Sequence, residues 1–282
     1  MTDTAAGISG TSAGVSSTPD GVLGTPPGVL STGAPIDLGG GAQALFTDRS
    51  HGNLSSVGGT GCERGLQARE RLRARHDLSA LARGYQVHGS HVAMFQAGDP
   101  RELSDSAEQP TQEADGQAVA VPGVAAMVLA ADCVPVVLAA DGAVAALHAG
   151  WRGLVAGVLE QGVRALRDVG GSGEVVAVVG PCAGVCCYEV GEEVQAAVAC
   201  ASGPPGEREG DPEREPPGPA PEADVGKRAR IDLRAIVHRR LESAGVVAVA
   251  DVAACTICDE RFFSHRREGA AAGRQAGLAW LV

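Results

Sequence analysis

The sequence predicts a single α/β domain. Two observations point there: long uninterrupted apolar runs of strand character, and stretches of helical spacing that alternate with them. The first helix falls at 66–76, where apolar positions recur at helical intervals and Arg and Glu take the outer face. Residues 125–138 and 143–148 are continuous runs of Ala, Val and Leu, typical of strands covered on both faces. Residues 153–169 follow as a helix whose apolar positions include Leu154, Val158, Val163 and Leu166. Residues 174–180 form another buried strand and 190–200 another helix. Residues 231–244 make a helix capped by a preceding polar turn; 246–250 and 256–257 are extended, and 274–282 closes the chain as helix or strand. No second core is required.

Residues 1–43 are rich in Gly, Ser, Thr, Ala and Pro, without periodicity, and are expected to be a disordered tail ahead of a catalytic domain at 44–282. A Pro-, Gly- and Glu-rich stretch at 201–227 reads as a disordered insertion in that domain. Aromatic residues are 3% of the chain, so its elements must pack through small aliphatic side chains. The formal net charge of −11 argues against nucleic-acid backbones and anionic membranes as partners. A small anionic substrate held by a few arginines stays compatible with it, and no obligate protein partner is inferred. The first positive side chain is Arg49 and no apolar run reaches the roughly 20 residues a membrane span needs, so a cytoplasmic location is expected. The eight cysteines are then expected as reduced thiols or metal ligands. Cys255-x-x-Cys258 is half of a zinc-knuckle pattern, but no second Cys-x-x-Cys accompanies it and Cys186-Cys187 is vicinal, so these read as packed thiols.

Three short fragments bear on chemistry: Gln86-Val87-His88-Gly89, Ala131-Asp132-Cys133-Val134-Pro135 and Leu147-His148-Ala149-Gly150-Trp151-Arg152-Gly153. Each sets one soft-metal ligand beside a probable strand end. Two imidazoles and one thiolate are a zinc set with an open position, the pattern of a catalytic rather than a structural site. The spacing is too long for a local ligand loop, so the same residues also read as a core cysteine and two ordinary histidines.

These fragments, taken with 180–191 (GPCAGVCCYEVG) and 255–267 (CTICDERFFSHRR), resemble the YfiH family, also called the multicopper polyphenol oxidoreductase or purine nucleoside phosphorylase family. The five blocks come in the same order, and the resemblance spans about 45–282. It implies a layered α-β-β-α sandwich with mixed sheets, a fold shared with bacterial deamidating toxins. It also implies zinc held by His88, Cys133 and His148, phosphorolysis of purine nucleosides including methylthioadenosine, and hydrolytic deamination of adenosine. The chain departs from the family pattern after Phe46-Thr47-Asp48-Arg49, where a longer glycine-rich loop is shortened to Ser50-His51-Gly52-Asn53-Leu54-Ser55, and where an Asn-Arg pair becomes Ala68-Arg69.

Zinc on two imidazoles and a thiolate lowers the pKa of water from about 15.7 toward about 7, which suits attack at C6 of a purine. The His-x-Glu and Pro-Cys-x-x-Cys signature of cytidine deaminases is absent, since Pro181-Cys182 is followed by a cysteine only at 186. Asp132 and Glu189 are candidate proton shuttles. Phosphorolysis needs an anion seat, for which Arg152 and the helix start at Gly153 are candidates, with Arg49 a second. Ser264 and Arg266 are candidates for facing substrate. Two other readings compete. A copper polyphenol oxidase would need many imidazoles, often in His-x-His pairs, and the seven histidines include no such pair. A cysteine hydrolase would use Cys133 as nucleophile and His148 as base.

Overall fold

The computed structural model describes residues 30–55, 61–96, 112–201 and 229–282. Two mixed sheets stack face to face. The first has the order β1 (Ile36–Gly39), β2 (Ala42–Phe46), β13 (Gln275–Leu281), β6 (Val124–Ala130), β3 (Ala80–Ala82). The second has the order β12 (Val246–Asp251), β9 (Ser172–Val179), β7 (Val134–Asp141), β8 (Ala143–Ala149), β5 (Gly116–Val119), β4 (Val92–Phe95). A two-stranded ribbon pairs β10 (Glu189–Val190) with β11 (Ala229–Arg230).

The period of two along each strand assigns its side chains to layers. Val137, Ala139, Val144, Ala146, Val176 and Val178 of the second sheet meet Phe46, Ala126, Val128 and Ala279 of the first in the central core. The opposite residues of β7, β8 and β9, among them Val136, Leu138, Leu147 and Ala177, pack against α3 (Val158–Asp168) and α5 (Leu233–Ser243). On the far side Leu45, Met127 and Leu278 pack against Ala68 and Leu72 of α1 (Gly61–Arg75). The layers are therefore α-β-β-α, as the resemblance implied.

Several boundaries differ from the sequence reading. The run 125–138 is two strands, because Asp132 turns the chain at φ 94° between β6 and β7. The helix expected over 153–169 breaks at Gly157, whose left-handed φ of 92° separates α2 (Trp151–Ala156) from α3. Residues 256–257 lie in a turn rather than a strand, and the chain closes as β13. The expected tail at 1–43 is corrected from 36 onward: β1 and β2 form an antiparallel hairpin whose Ile36, Leu38 and Ala42 are buried. Its turn, Gly39-Gly40-Gly41, has positive φ throughout, so the glycines that resemble low complexity are a tight connection. Residues 1–29, and nearly all of the expected insertion at 201–227, lie outside the described residues; Ala201 ends α4 (Glu192–Ala201). Among the described residues no helix is long and apolar enough to cross a membrane.

Candidate metal centre and cleft

Cys133 immediately precedes β7, His148 sits near the end of its neighbour β8, and the antiparallel register places Pro135 opposite His148. His88 reaches them from the turn between β3 and β4, at a left-handed φ of 62°. The ligand atoms of His88, Cys133 and His148 all lie within 4.8 Å of one another. The two imidazole centroids are 4.9 Å apart with the rings at 67°.

A residue the sequence reading missed organises this arrangement. Asp115, fully buried just before β5, accepts the backbone N–H groups of Val87 (3.1 Å), His88 (2.9 Å) and Gly89 (2.7 Å). Those bonds hold the His88 turn in its left-handed conformation. Asp115 Oδ1 also lies 2.8 Å from His148 Nδ1. Burial pushes the Asp115 carboxyl up, but His148 and the N–H groups of Gly89 and Val87 outweigh it and hold the group below its ordinary value. An ionised carboxylate only accepts, so Nδ1 donates its proton to Asp115 and Nε2 is the ring nitrogen left for Cys133, His88 or an ion. The only local sign of Asp115 is a carboxylate amid small, uncharged residues.

Burial also pushes the Cys133 thiol up and the His148 imidazole down. Their mutual attraction, with His88 beside the sulfur and Asp115 behind the ring, reverses both: Cys133 is drawn down to about 6 and His148 up to about 9. The sulfur is thus a thiolate near neutral pH, the form that ligates a soft ion. Gly150 passes close by, and a Cβ there would stand 3.0 Å from Cys133 Sγ and 3.1 Å from His88 Cδ2. Gly153 serves close approach too, since a Cβ would stand 3.0 Å from the Gly89 carbonyl oxygen.

The three candidate ligands face a cleft of about 590 Å³, ample for a nucleoside. Arg83, Arg152, Arg266 and Arg274 line it, together with Trp151, Tyr188, Leu129 and His265. Arg152 stacks on Trp151 with its Cζ 4.3 Å from the ring centroid, and Arg266 stacks on Tyr188 at 5.0 Å. Burial, with the Cys133 charge, raises the Tyr188 phenol against the pull of Arg266, so the phenol keeps its proton.

Other expected site residues lie elsewhere or are already engaged. Arg49 is outside the cleft; its guanidinium pairs with Glu268, donates to the Phe262 carbonyl at 3.0 Å and stacks on Phe263. Asp132 lines the cleft, but Oδ1 accepts from Thr256 Oγ1 and Oδ2 from the Arg266 N–H, each at 2.7 Å, which makes it a brace for the loop carrying Arg266. Glu189 is not among the residues lining the cleft and pairs with Arg230. Ser264 is buried and caps α6 (His265–Glu268) through the Arg267 N–H. Gln86 lines the cleft with its amide locked to both backbone groups of Leu129.

Comparison with known proteins matches residues 39–282 to the family described as multi-copper polyphenol oxidoreductase laccase. The chain belongs to this family, the YfiH family. Among YfiH relatives, the purine nucleoside phosphorylase SCO2081 of Streptomyces coelicolor is 36% identical over 268 residues, covering 87% of this chain and 98% of that protein. A purine nucleoside phosphorylase of Xylella fastidiosa is 38% identical over 247 residues, covering 84% and 86%. The solved structure of YlmD from Geobacillus stearothermophilus superposes with a TM-score of 0.70 at 26% identity, covering 92% of this chain and 98% of that one. Neisseria meningitidis NMB0706 superposes at 0.66 with 29% identity, covering 86% and 94%.

The cleft's donor set fits a single three-ligand ion rather than a multicopper cluster. Among the described residues, its imidazoles are His88, His148 and His265, and it has no Met to serve as a long axial ligand of a blue-copper site.

Proposed function

We propose that this chain is a zinc-dependent purine nucleoside phosphorylase that also deaminates adenosine hydrolytically. One observation supports this above the rest: the His88, Cys133 and His148 set opens into a cleft lined by four arginines. The names of the Streptomyces and Xylella relatives agree with it. Bound at these three residues, Zn²⁺ would supply Lewis acidity and lower the pKa of water.

The chain's own residues provide the rest. Arg152, with Arg83, Arg266 and Arg274 on the same cleft, offers the charge to hold a phosphate dianion near C1′ of the ribose. In phosphorolysis a phosphate oxygen bonds to C1′ while the bond from C1′ to N9 breaks, and the base leaves with the electron pair and takes up a proton. Tyr188, on the cleft wall, would be the donor of that proton. Trp151, Tyr188 and Leu129 offer it apolar surface. Deamination would exchange the 6-amino group of adenosine for oxygen from water. The test is incubation of adenosine, inosine, guanosine and methylthioadenosine with and without phosphate, read by product mass. The proposal expects free base plus a ribose 1-phosphate only when phosphate is present, and inosine from adenosine without it.

A second reading is favoured by the metal-free electrostatics: Cys133, His148 and Asp115 stand in the order nucleophile, base and orienting carboxylate of a cysteine hydrolase. Zinc decides between them. It would inhibit a free thiolate nucleophile and restore a metal-dependent phosphorylase.

A further inference from the structure

A second group of metal-ligating atoms lies outside the cleft. The sulfurs of Cys186, Cys187, Cys255 and Cys258 all fall within 4.8 Å of one another, although some seventy residues separate the two pairs. The loop after β9 carries the first pair and the turn after β12 carries the second. Backbone contacts hold the two together: Cys182 pairs with Cys255 in an isolated parallel bridge, Cys182 N–H donates to the Ala254 carbonyl at 3.3 Å, and Thr256 N–H donates to the Cys182 carbonyl at 2.9 Å.

The separation of the sulfurs separates a metal site from a disulfide. Cys186 Sγ and Cys258 Sγ are 3.8 Å apart. Four sulfurs at about 2.3 Å from a tetrahedral ion stand about 3.8 Å from one another, whereas a disulfide closes to about 2.05 Å. All four are free thiols. The Gly184 N–H points at Cys255 Sγ from 3.2 Å, the kind of outer contact that fixes a ligating sulfur. A Cβ on Gly184 would stand 3.2 Å from the sulfurs of both Cys186 and Cys255, so the loop reaches the cluster as glycine.

We propose that Cys186, Cys187, Cys255 and Cys258 bind one structural Zn²⁺ ion, separate from the His88, Cys133 and His148 centre. Four protein ligands close the coordination sphere, as in structural sites, and leave no position for substrate. Binding replaces the four thiol protons by one ion and involves no change of oxidation state. The sequence reading saw half a knuckle in Cys255-x-x-Cys258; the vicinal pair completes it across the fold.

The ion's effect would reach the cleft through its neighbours. Tyr188 follows Cys187 and lines the cleft. Thr256 follows Cys255 and donates to Asp132, which in turn accepts the Arg266 N–H. The Arg267 guanidinium donates to the carbonyls of Thr256 and Ile257, each at 2.8 Å, within the knuckle turn itself. Zinc at the four sulfurs would fasten this wall of the cleft.

The experiment uses the full chain with Cys133→Ser, which disables the cleft centre, purified under reductant in the presence of zinc. Elemental analysis should give one zinc per chain, and X-ray absorption should give four sulfur scatterers at about 2.3 Å. Adding Cys258→Ser should remove that zinc. If the added substitution impairs folding, the Cys133→Ser chain is titrated with an organomercurial while a chromophoric chelator reads released zinc, which is expected to accompany the reaction of four thiols beyond those, such as the exposed Cys200, that react without releasing it. Absence of metal from the Cys133→Ser chain, nitrogen or oxygen in the shell, iron in place of zinc, or a disulfide seen as lost mass would each overturn the proposal.

Discussion

His148 Nδ1 and Asp115 Oδ1 stand 2.8 Å apart in the interior, and the same carboxylate receives the N–H groups of Val87, His88 and Gly89. One buried side chain therefore sets the tautomer of one candidate ligand and the backbone turn of another. Replacing Asp115 with Asn keeps the volume but removes the charge and part of the acceptor capacity. Partners of this kind are worth about tenfold to a hundredfold in metal affinity. Competition with a chelator should show a loss of that size at the cleft centre of Asp115→Asn; unchanged affinity would mean that Asp115 only packs.

Gly150→Ala tests the crowding around the ligands. At φ −75° and ψ 167° the backbone accepts alanine, so the effect is steric, through contacts of 3.0 Å to Cys133 Sγ and 3.1 Å to His88 Cδ2. Overpacking on the order of 1–3 kcal/mol should weaken zinc binding about fivefold to a hundredfold. The circular dichroism spectrum should not change.

Arg152→Ala separates phosphate handling from the rest of the cleft. A charge-assisted contact contributes about 1.5–3 kcal/mol, so phosphorolysis should slow by roughly tenfold to a hundredfold with weaker phosphate saturation. Zinc content and adenosine deamination should be nearly preserved. Equal losses in both reactions would reassign Arg152 to the nucleoside.

Much of this architecture is legible in the sequence because strands covered on both faces leave unbroken apolar runs. Val134 to Ala140 and Ala143 to Ala149 could hardly be anything else. The helix breaks at Gly157 and the turn at Asp132 are harder to read, because one backbone angle decides each and the residues around it keep their apolar character. The three candidate ligands stand out through their family blocks. Asp115 does not, since its role exists only where the β5 and β8 register brings it to His148. The four-cysteine cluster likewise needs the fold to join its halves.

The hairpin β1–β2 has the composition of a tail because glycines and short polar residues surround its few apolar side chains. Removing residues 1–41 deletes the burial of Ile36 and Leu38, each worth about 1.5–3 kcal/mol. Relative to a chain lacking only 1–29, the melting temperature should fall by about 6–24 °C, at 2–4 °C for each kcal/mol in a domain of this size. Equal melting temperatures would show that the edge strand adds nothing.

The most direct test of the whole account uses inosine, which has no 6-amino group and so reports phosphorolysis alone. The protein is stripped of metal, assayed with phosphate by product mass, then assayed again after zinc is restored, with Cys133→Ser alongside. The account predicts hypoxanthine and ribose 1-phosphate only from the zinc-restored wild-type chain, and only with phosphate present. Full phosphorolysis by the stripped chain, or by Cys133→Ser, would contradict it.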